Sequence, residues 1–511
     1  MSNKTIKFQR SGHFWNDLGI IGLWRWLAET APDIENLDRS YRAIFSDCEG
    51  TLYADRLEVS GEESNIRDIL RQAVDALRAQ TWQTTQKGKM WWNGPASFLY
   101  AGQNTPDFLL PYEDLPESSQ WRRSGRCDVC GNGNVPVRTT GTSYNPLLVN
   151  LDKMSSFYSE LKGRYHICQS CAFVAPFALT QVWYSWGDQF LTLVLLWPTS
   201  ADLLAVEQFL HQTSYLHISD NVGRNYERAF SYANSPASCF LDLVCSLWNT
   251  SKTHLSADAL MMALSGVQFN AMLLSKPTKT SHVISIDRYE IFPDPIGILR
   301  LAQGVDQVSK QGKVWNVLIS VLNDMLVKWR GPDGKIQADT RLLDEIANAI
   351  VTRTIIEGIL EERVYRALNQ LHTDSTLLND FNILAFRLLV PIYLKEVNDV
   401  DIELLPALQS VGETLGELVK LTDDRSILYN LRNARNAEDL LEVLSRVVVR
   451  YADVFVEGKP ELWRNNVREL AELLDGSNWR RVRSLLGLYA GLKFIELSRK
   501  EQGKEPAPAH S

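Results

Sequence analysis

Cys127-Asp-Val-Cys130, running on into Gly131-Asn-Gly133, and, 37 residues after the first pair, Cys168-Gln-Ser-Cys171, form the pattern that decides how this chain is read. A C-x-x-C turn is tight enough to aim two sulfurs at one point, and Gly131 and Gly133 supply permissive backbone just beyond the first turn. Two such turns offer four thiolates to one ion in tetrahedral geometry. Zinc is the ion that fits, and with every position filled by sulfur the site is structural. The interval exceeds the roughly 15–20 residues of a simple ribbon, which predicts a separate hairpin or lobe between the turns. A redox dithiol accounts less well for two matched pairs outside a βαβ setting. His166 can be an alternative ligand or a neighbour of the site, although an exposed loop position accounts for it more simply. Cys48, Cys239 and Cys245 lack the spacing and read as small core residues.

Outward from this site the chain changes character. Before about residue 295 short strand-like runs mix with helices. Examples are Asp107 to Pro111, the apolar run Phe190 to Trp197, and His282 to Phe292, which Pro293 closes. Beyond Pro295 the period becomes helical. Asp339 is placed to cap a helix carrying Leu343, Ile346, Ile350 and Leu360 ahead of Val364 and Leu368, and Pro391 should end or kink a later one. Asn436, with Asp439 three residues on, caps a helix whose Leu440, Leu444, Val447, Tyr451 and Val454 draw one stripe. Pro460 opens the next helix, with Trp463, Val467, Leu470 and Leu474, which Gly476 ends. Ser477 caps the last, with Val482, Leu485, Tyr489, Leu492 and Ile495. The expected fold is an α+β N-terminal region with an inserted four-cysteine zinc ribbon, followed by an all-α C-terminal helical bundle. Its divisions are residues 1–126, a zinc lobe at 127–171, 172–295, a helical region at 296–424, a bundle at 425–500 and a frayed tail at 501–511.

Length and composition set further bounds. The 511 residues are 45% hydrophobic and 22% charged, enough for two to four domains with sizeable cores. Seven cysteines and a start without an apolar secretory core disfavour a disulfide framework, and no apolar run is long enough to span a bilayer, so a cytoplasmic protein without a membrane role is expected. Net charge is −8, unlike most phosphate binders, yet residues 425–500 hold fourteen Lys or Arg against ten Asp or Glu. That local excess is also what ordinary solvated helix faces show. Nucleophile elbow, zinc-protease helix, phosphate loop and dinucleotide turn are all missing from the sequence. The acidic neighbours Asp47 and Glu49, and Glu361 and Glu362, read as solvated faces, so an enzyme is not expected.

Taken together, His13-Phe-Trp-Asn-Asp-Leu-Gly-Ile-Ile-Gly-Leu23, the knuckles at Cys127/Cys130 and Cys168/Cys171, and the helical C-terminal region resemble the CXXC-CXXC family of CRISPR-associated proteins. The resemblance is carried by motifs through about residue 300 and by architecture beyond. It implies the large subunit of a type I-B Cascade complex, which recognises a protospacer-adjacent motif in duplex DNA, helps unwind it and anchors the 5′ end of the guide CRISPR RNA. The implied partners are that RNA, target DNA and its displaced strand, backbone and small subunits, and a helicase-nuclease recruited later. Only the four cysteines transfer residue by residue.

The residues themselves suggest where nucleic acid would lie. Lys87, Lys89, Trp91, Trp92 and Asn93 surround Gly88 in an expected loop, combining phosphate contacts, a wedge and a base-edge donor, with Gln103 and Asn104 as a second amide pair. Core tryptophans with merely exposed lysines explain this stretch as well, and the same holds for Lys276 and Lys279. Arg446 and Arg450, with Arg480, Arg481 and Arg483, predict a basic stripe for a single strand. Surface pairing with Glu438, Glu442 and Glu469 is the competing account. A zinc-ribbon enzyme or transcription-related factor, and an interaction scaffold without a CRISPR role, stay open beside the family reading.

Overall fold

Ile6 and Phe8 alternate with Thr5, Lys7 and Gln9, and this period-two pattern makes Asn3–Gln9 a strand, β1, with one buried face. A computed structural model of the protein describes residues 3–37, 40–84, 90–92, 121–139, 165–186, 190–197, 202–212, 224–225, 235–251, 257–264, 268–275, 285–292, 295–308, 328–330, 336–338, 340–370, 383–398, 404–451, 459–474 and 478–501. The chain divides into two compact units, residues 1–231 with 246–296, and residues 232–245 with 297–511.

In the first unit β1 is followed by helix α1 (Phe14–Thr30) and strands β2 (Asp33–Leu37), β3 (Ser40–Ile44), β4 (Cys48–Leu52) and β5 (Arg56–Glu62). These form an antiparallel sheet in the order β1-β5-β4-β3-β2. Helix α1 is apolar almost all round, and Trp15, Leu18, Ile21, Trp24 and Leu27 are buried. Helix α2 (Glu63–Thr81), amphipathic through Ile66, Leu70, Val74 and Leu77, follows, then a hairpin of β6 (Trp82–Thr84) and β7 (Met90–Trp92). Strands β8 (Trp121–Gly125), β9 (Val135–Thr139) and β10 (His166–Cys168) make a three-stranded antiparallel sheet. From β10 the chain enters helix α3 (Gln169–Val174) and a 3-10 helix (Ala175–Gln181). A second five-stranded sheet contains β11 (Trp183–Trp186), β12 (Phe190–Trp197), β13 (Arg224–Asn225), β14 (Gln268–Ser275) and β15 (Ser285–Phe292), in the order β13-β11-β12-β14-β15. The run Phe190 to Trp197 is thus a central strand. Helices α4 (Leu203–Gln212) and α6 (Ala257–Leu264) complete this unit, and α5 (Pro236–Ser251) is divided between the two units at residue 246. The expected strand at Asp107 to Pro111 lies outside the described residues.

The second unit runs through α7 (Ile296–Val308), a two-stranded ribbon of β16 (Lys328–Arg330) and β17 (Ile336–Ala338), and helices α8 (Thr340–Thr352), α9 (Glu357–Gln370), α10 (Ile383–Glu396), α11 (Leu404–Thr422), α12 (Ser426–Asn433), α13 (Ala437–Arg450), α14 (Lys459–Leu473) and α15 (Trp479–Glu501). The ribbon falls in the stretch expected as a helical region, 296–424, and corrects it; among the described residues the expected bundle at 425–500 is helical. The expected cap Asp339 lies outside the described residues, and the helix expected to follow it is two helices. Arg353 takes a left-handed φ of 55°, with Thr354 N–H donating to Ala349 O at 2.9 Å and Arg353 N–H to Ile350 O at 3.3 Å. This is the Schellman pattern of a helix end, built here on arginine instead of glycine. The buried Tyr393 hydroxyl, 2.9 Å from Ala349 O and 2.6 Å from Thr354 O, caps the same break from outside. Pro391, expected to end or kink its helix, does not end it but lies inside α10, which continues to Glu396.

Asn436 Oδ1 accepts the Asp439 N–H at 2.7 Å, the expected cap of α13. Helix α15 departs from the single-stripe expectation, since Leu486, Leu488, Ala490 and Phe494 are buried along with Val482, Leu485, Tyr489, Leu492 and Ile495. It is a central helix, packed most extensively on α11 and also on α9, α12 and α13. Gly416 of α11 lets the two helices close up, because a Cβ there would lie 2.3 Å from Ala490 O.

Candidate metal centre and its docking surface

The first knuckle is shaped by its own backbone. Gly131 N–H donates to Cys127 O at 2.9 Å and Cys127 N–H to Asn132 O at 2.8 Å, with Gly131 at φ 77° and Asn134 at φ 56°. The glycine and asparagine therefore sit where a left-handed residue is required. Strands β9 and β10 bring the second knuckle alongside, pairing Cys168 with Val137. Asp128 and His166 tie the knuckles together: Asp128 N–H donates to His166 O at 2.8 Å and His166 N–H to Asp128 Oδ2 at 2.6 Å. His166 is therefore a brace between the turns and is not among the residues whose ligand atoms converge.

Those residues are Cys127, Cys130, Cys168 and Cys171, whose ligand atoms all lie within 4.8 Å of one another. Cys130 Sγ and Cys168 Sγ are 3.8 Å apart. With Zn–S bonds of about 2.3 Å, tetrahedral geometry places sulfurs about 3.8 Å apart. The four sulfurs thus suit zinc in number, type and spacing. Cys168 N–H donates to Cys127 Sγ at 3.2 Å, a bond that favours the thiolate. Hydrogen bonds from Cys130, Cys168 and Cys171 hold the Cys127 thiol far below its ordinary range, whereas bonds to Cys127, Cys130 and Cys168, together with burial, push Cys171 far up. Four sulfurs this close cannot all ionise alone, and a bound dication relieves that competition.

Helix α1 is the platform for this centre. Asn16 Nδ2 donates to Cys171 O at 3.1 Å in a buried contact. Cβ atoms built on Gly19 and Gly22 would lie 2.2 Å from Val174 O and 2.3 Å from Phe177 O, so the backbone leaving the second knuckle rests directly on these glycines. Asp17, fully buried, accepts hydrogen bonds from Ser11 N–H, Ser11 Oγ and Gly12 N–H, fixing the entry to α1. Burial raises its pKa, opposed by those bonds and by Arg10. Gly19→Ala is accordingly expected to cost at least about 1–3 kcal/mol, the usual range for overpacking, and more if the backbone contact cannot relax. Denaturant unfolding checks it, and a variant as stable as wild type would refute the contact.

The other sequence-selected residues fall differently. Lys87, Lys89, Asn93, Gln103, Asn104, Lys276 and Lys279 lie outside the described residues. Trp91 and Trp92 belong to β7, opposite Gln83 and Trp82, and so stand in a hairpin strand instead of the expected loop. Arg446 pairs with Glu442, as the surface account expected, while Arg450 pairs with Asp424 at 3.2 Å. Both arginines line a groove of about 510 Å³ with Ile427, Val443, Val447 and Tyr451.

Arg480, Arg481 and Arg483 do not form one exposed stripe. Arg480 is exposed and lies over the Trp479 ring at 5.4 Å. Arg481 instead turns inward, its Nε 2.6 Å from Oε1 of Glu357, which is 0% exposed. Arg483 is half-buried, donates to Ala434 O at 3.4 Å and faces Glu361. Glu361, read from sequence as solvated, is buried, and desolvation raises its pKa against the Ser484 hydrogen bond and the nearby Arg483 and Arg432. Glu362 is the solvent-side partner, paired with Arg366 and Arg432. Alternating glutamates and arginines are not distinguished as buried or exposed by periodicity alone, which is why sequence reasoning missed the Glu357–Arg481 pair. Among the described residues no helix is long and apolar enough to cross a membrane. Compared with known proteins, the chain matches no protein-family model and no curated sequence.

Proposed function

We propose that this chain is the large subunit of a type I-B CRISPR Cascade surveillance complex, a non-catalytic, zinc-stapled protein that binds guide RNA and target DNA. One observation carries the reading. The two separate stretches behind the resemblance, His13–Leu23 and the paired knuckles, pack as a single unit in which Asn16, Gly19 and Gly22 of the first receive the backbone of the second. A closed four-thiolate centre holds that architecture and leaves no coordination position for substrate.

In this reading guide pairing supplies sequence specificity, while the protein recognises a short motif in duplex DNA and helps open it. The hairpin region around Lys87 to Asn93 is the proposed reader. The groove bearing Arg446, Arg450 and Tyr451, with exposed Arg480, is the proposed path of the displaced strand, since guanidinium groups and an aromatic ring suit phosphates and bases. Backbone and small subunits would flank the chain, and a helicase-nuclease would follow once the DNA is open.

Affinity capture of the full chain from its native cells, with sequencing of copurified RNA, tests this. The expected result is one class of small RNAs sharing a common 5′ segment, together with sister subunits. Capture of the intact chain with no enriched RNA would favour a plain interaction scaffold instead.

A further inference from the structure

The lobe that carries the metal centre has an unusual charge balance. Residues 121–139 hold Arg122, Arg123, Arg126 and Arg138 against one acidic residue, Asp128, in a chain with 53 Lys or Arg and 61 Asp or Glu. Asp128 is already engaged, accepting the His166 N–H at 2.6 Å and facing its ring nitrogen at 3.5 Å. Arg122 and Arg126 are exposed and, among the described residues, have no carboxylate partner. Arginines elsewhere in the same unit behave differently: Arg42, Arg56 and Arg67 each pair with a glutamate.

We infer that the zinc lobe is itself a phosphate-binding surface for nucleic acid, with Arg122 and Arg126 as its principal contacts; this deepens the proposed nucleic-acid role and rests on it. Guanidinium groups recognise phosphate oxygens through a planar fork, and two that are not committed to carboxylates keep that capacity. The metal-bearing knuckle also stiffens their backbone. Arg126 directly precedes Cys127, whose N–H is fixed to Asn132 O at 2.8 Å, and Arg122 lies in β8, paired with Val137. Anchored contacts of this kind lose less conformational freedom on binding. Exposed Asn132 and Asn134 at the knuckle tip add neutral hydrogen-bond donors beside them. Contacts of this sort position a strand without reading its bases.

One other duty for these arginines has to be separated experimentally. Four thiolates and one zinc ion carry a formal charge of about −2, which nearby guanidinium groups could balance. The zinc-loaded full chain would be titrated with a short labelled DNA duplex of arbitrary sequence, and with its single strand, by fluorescence anisotropy across a sodium chloride series. Arg122→Gln with Arg126→Gln is expected to weaken binding roughly ten-fold at moderate salt and to lower the salt slope by about two, while zinc content stays unchanged. Arg122→Lys with Arg126→Lys should keep most of the slope, since it keeps the charge.

Unchanged affinity and slope, no binding by the wild-type chain, or zinc loss as the only effect would each overturn the inference. The outcomes separate from those of the RNA capture. Guide RNA present with an unchanged slope would leave the Cascade reading standing and put the DNA contacts elsewhere. A changed slope without guide RNA would make the lobe a nucleic-acid surface in a protein of another role.

Discussion

Cys171→Ser is expected to abolish zinc binding at the four-cysteine site and to release the second knuckle from helix α1. The residue is 6% exposed, its sulfur is one of four that converge, and its carbonyl accepts the buried Asn16 amide. Losing one thiolate therefore weakens the metal and loosens the segment that rests on Gly19 and Gly22. Structural zinc contributes roughly 10–16 kcal/mol of apparent binding free energy in small zinc peptides, as much as the roughly 5–15 kcal/mol that holds a whole domain folded. Chelation of the wild-type chain should have the same consequence. Zinc must displace protons from thiols, so retention should weaken as pH falls. Elemental analysis should give about one zinc per chain, and hydrogen exchange should rise at residues 165–181 and along α1 when the metal is removed. Less than half an equivalent in well-folded protein, or a harmless Cys130→Ser, would sink this account.

The second large effect belongs to the helical unit. Arg481→Leu should destabilise it by about 3–5 kcal/mol, because Glu357, 0% exposed, would be left buried without its partner. The pairing is electrostatic more than directional: Arg481 Nε lies 2.6 Å from Glu357 Oε1, yet neither carboxylate oxygen makes a hydrogen bond of good geometry. Replacing both partners by leucine should therefore recover most of the loss, since a buried pair often does no better than well-packed apolar residues. Thermal and urea unfolding of the two single variants and the double variant close the cycle. A single variant within about 1 kcal/mol of wild type, the scale of an exposed pair, would show that Glu357 is not isolated from water. The same placement engages Arg481 with Glu357 inside the helical unit, so changing it would perturb folding as well as any strand contact. Charge reversal at Arg483 would set a carboxylate beside Glu361, so exposed Arg480 is the cleaner probe of strand retention.

What could be read in the sequence was whatever depends on local spacing. Two C-x-x-C turns specify a converging site wherever the intervening chain goes, and Asn436 with Asp439 specifies a helix start through a bond spanning three residues. The run Phe190 to Trp197 shows its strand character in its own composition. Features that depend on distant partners were not legible. Arg353 is left-handed because the Schellman bonds and Tyr393 stabilise the break, and nothing at position 353 announces it. Helix α15 shows apolar residues on several faces, which reads as one stripe until four neighbours account for the remainder. Burial of Glu361 and Glu357 follows from α9 and α15 lying together, so a charged pair that looks solvated in sequence becomes part of a core. The ribbon of β16 and β17 is too short for a period to register. His13–Leu23 was legible as a motif, but the contacts of Asn16, Gly19 and Gly22 emerge only when the second knuckle is laid across them.

Strands β9 and β10 have a thermodynamic consequence for the chain between them. Thr139 and His166 are register partners, so residues 140–164 leave and return at points one strand spacing apart, already held by backbone pairing and by the cysteine centre. Closing a loop between fixed ends costs an entropy that grows only logarithmically, about 0.6 kcal/mol for each doubling of its length. The interval between the knuckles can accordingly lengthen or shorten by many residues with little effect on the metal centre. Spacing between the two cysteine pairs is then weakly constrained by the metal centre, whereas Gly19 and Gly22, which receive the second knuckle, have no room for even one carbon.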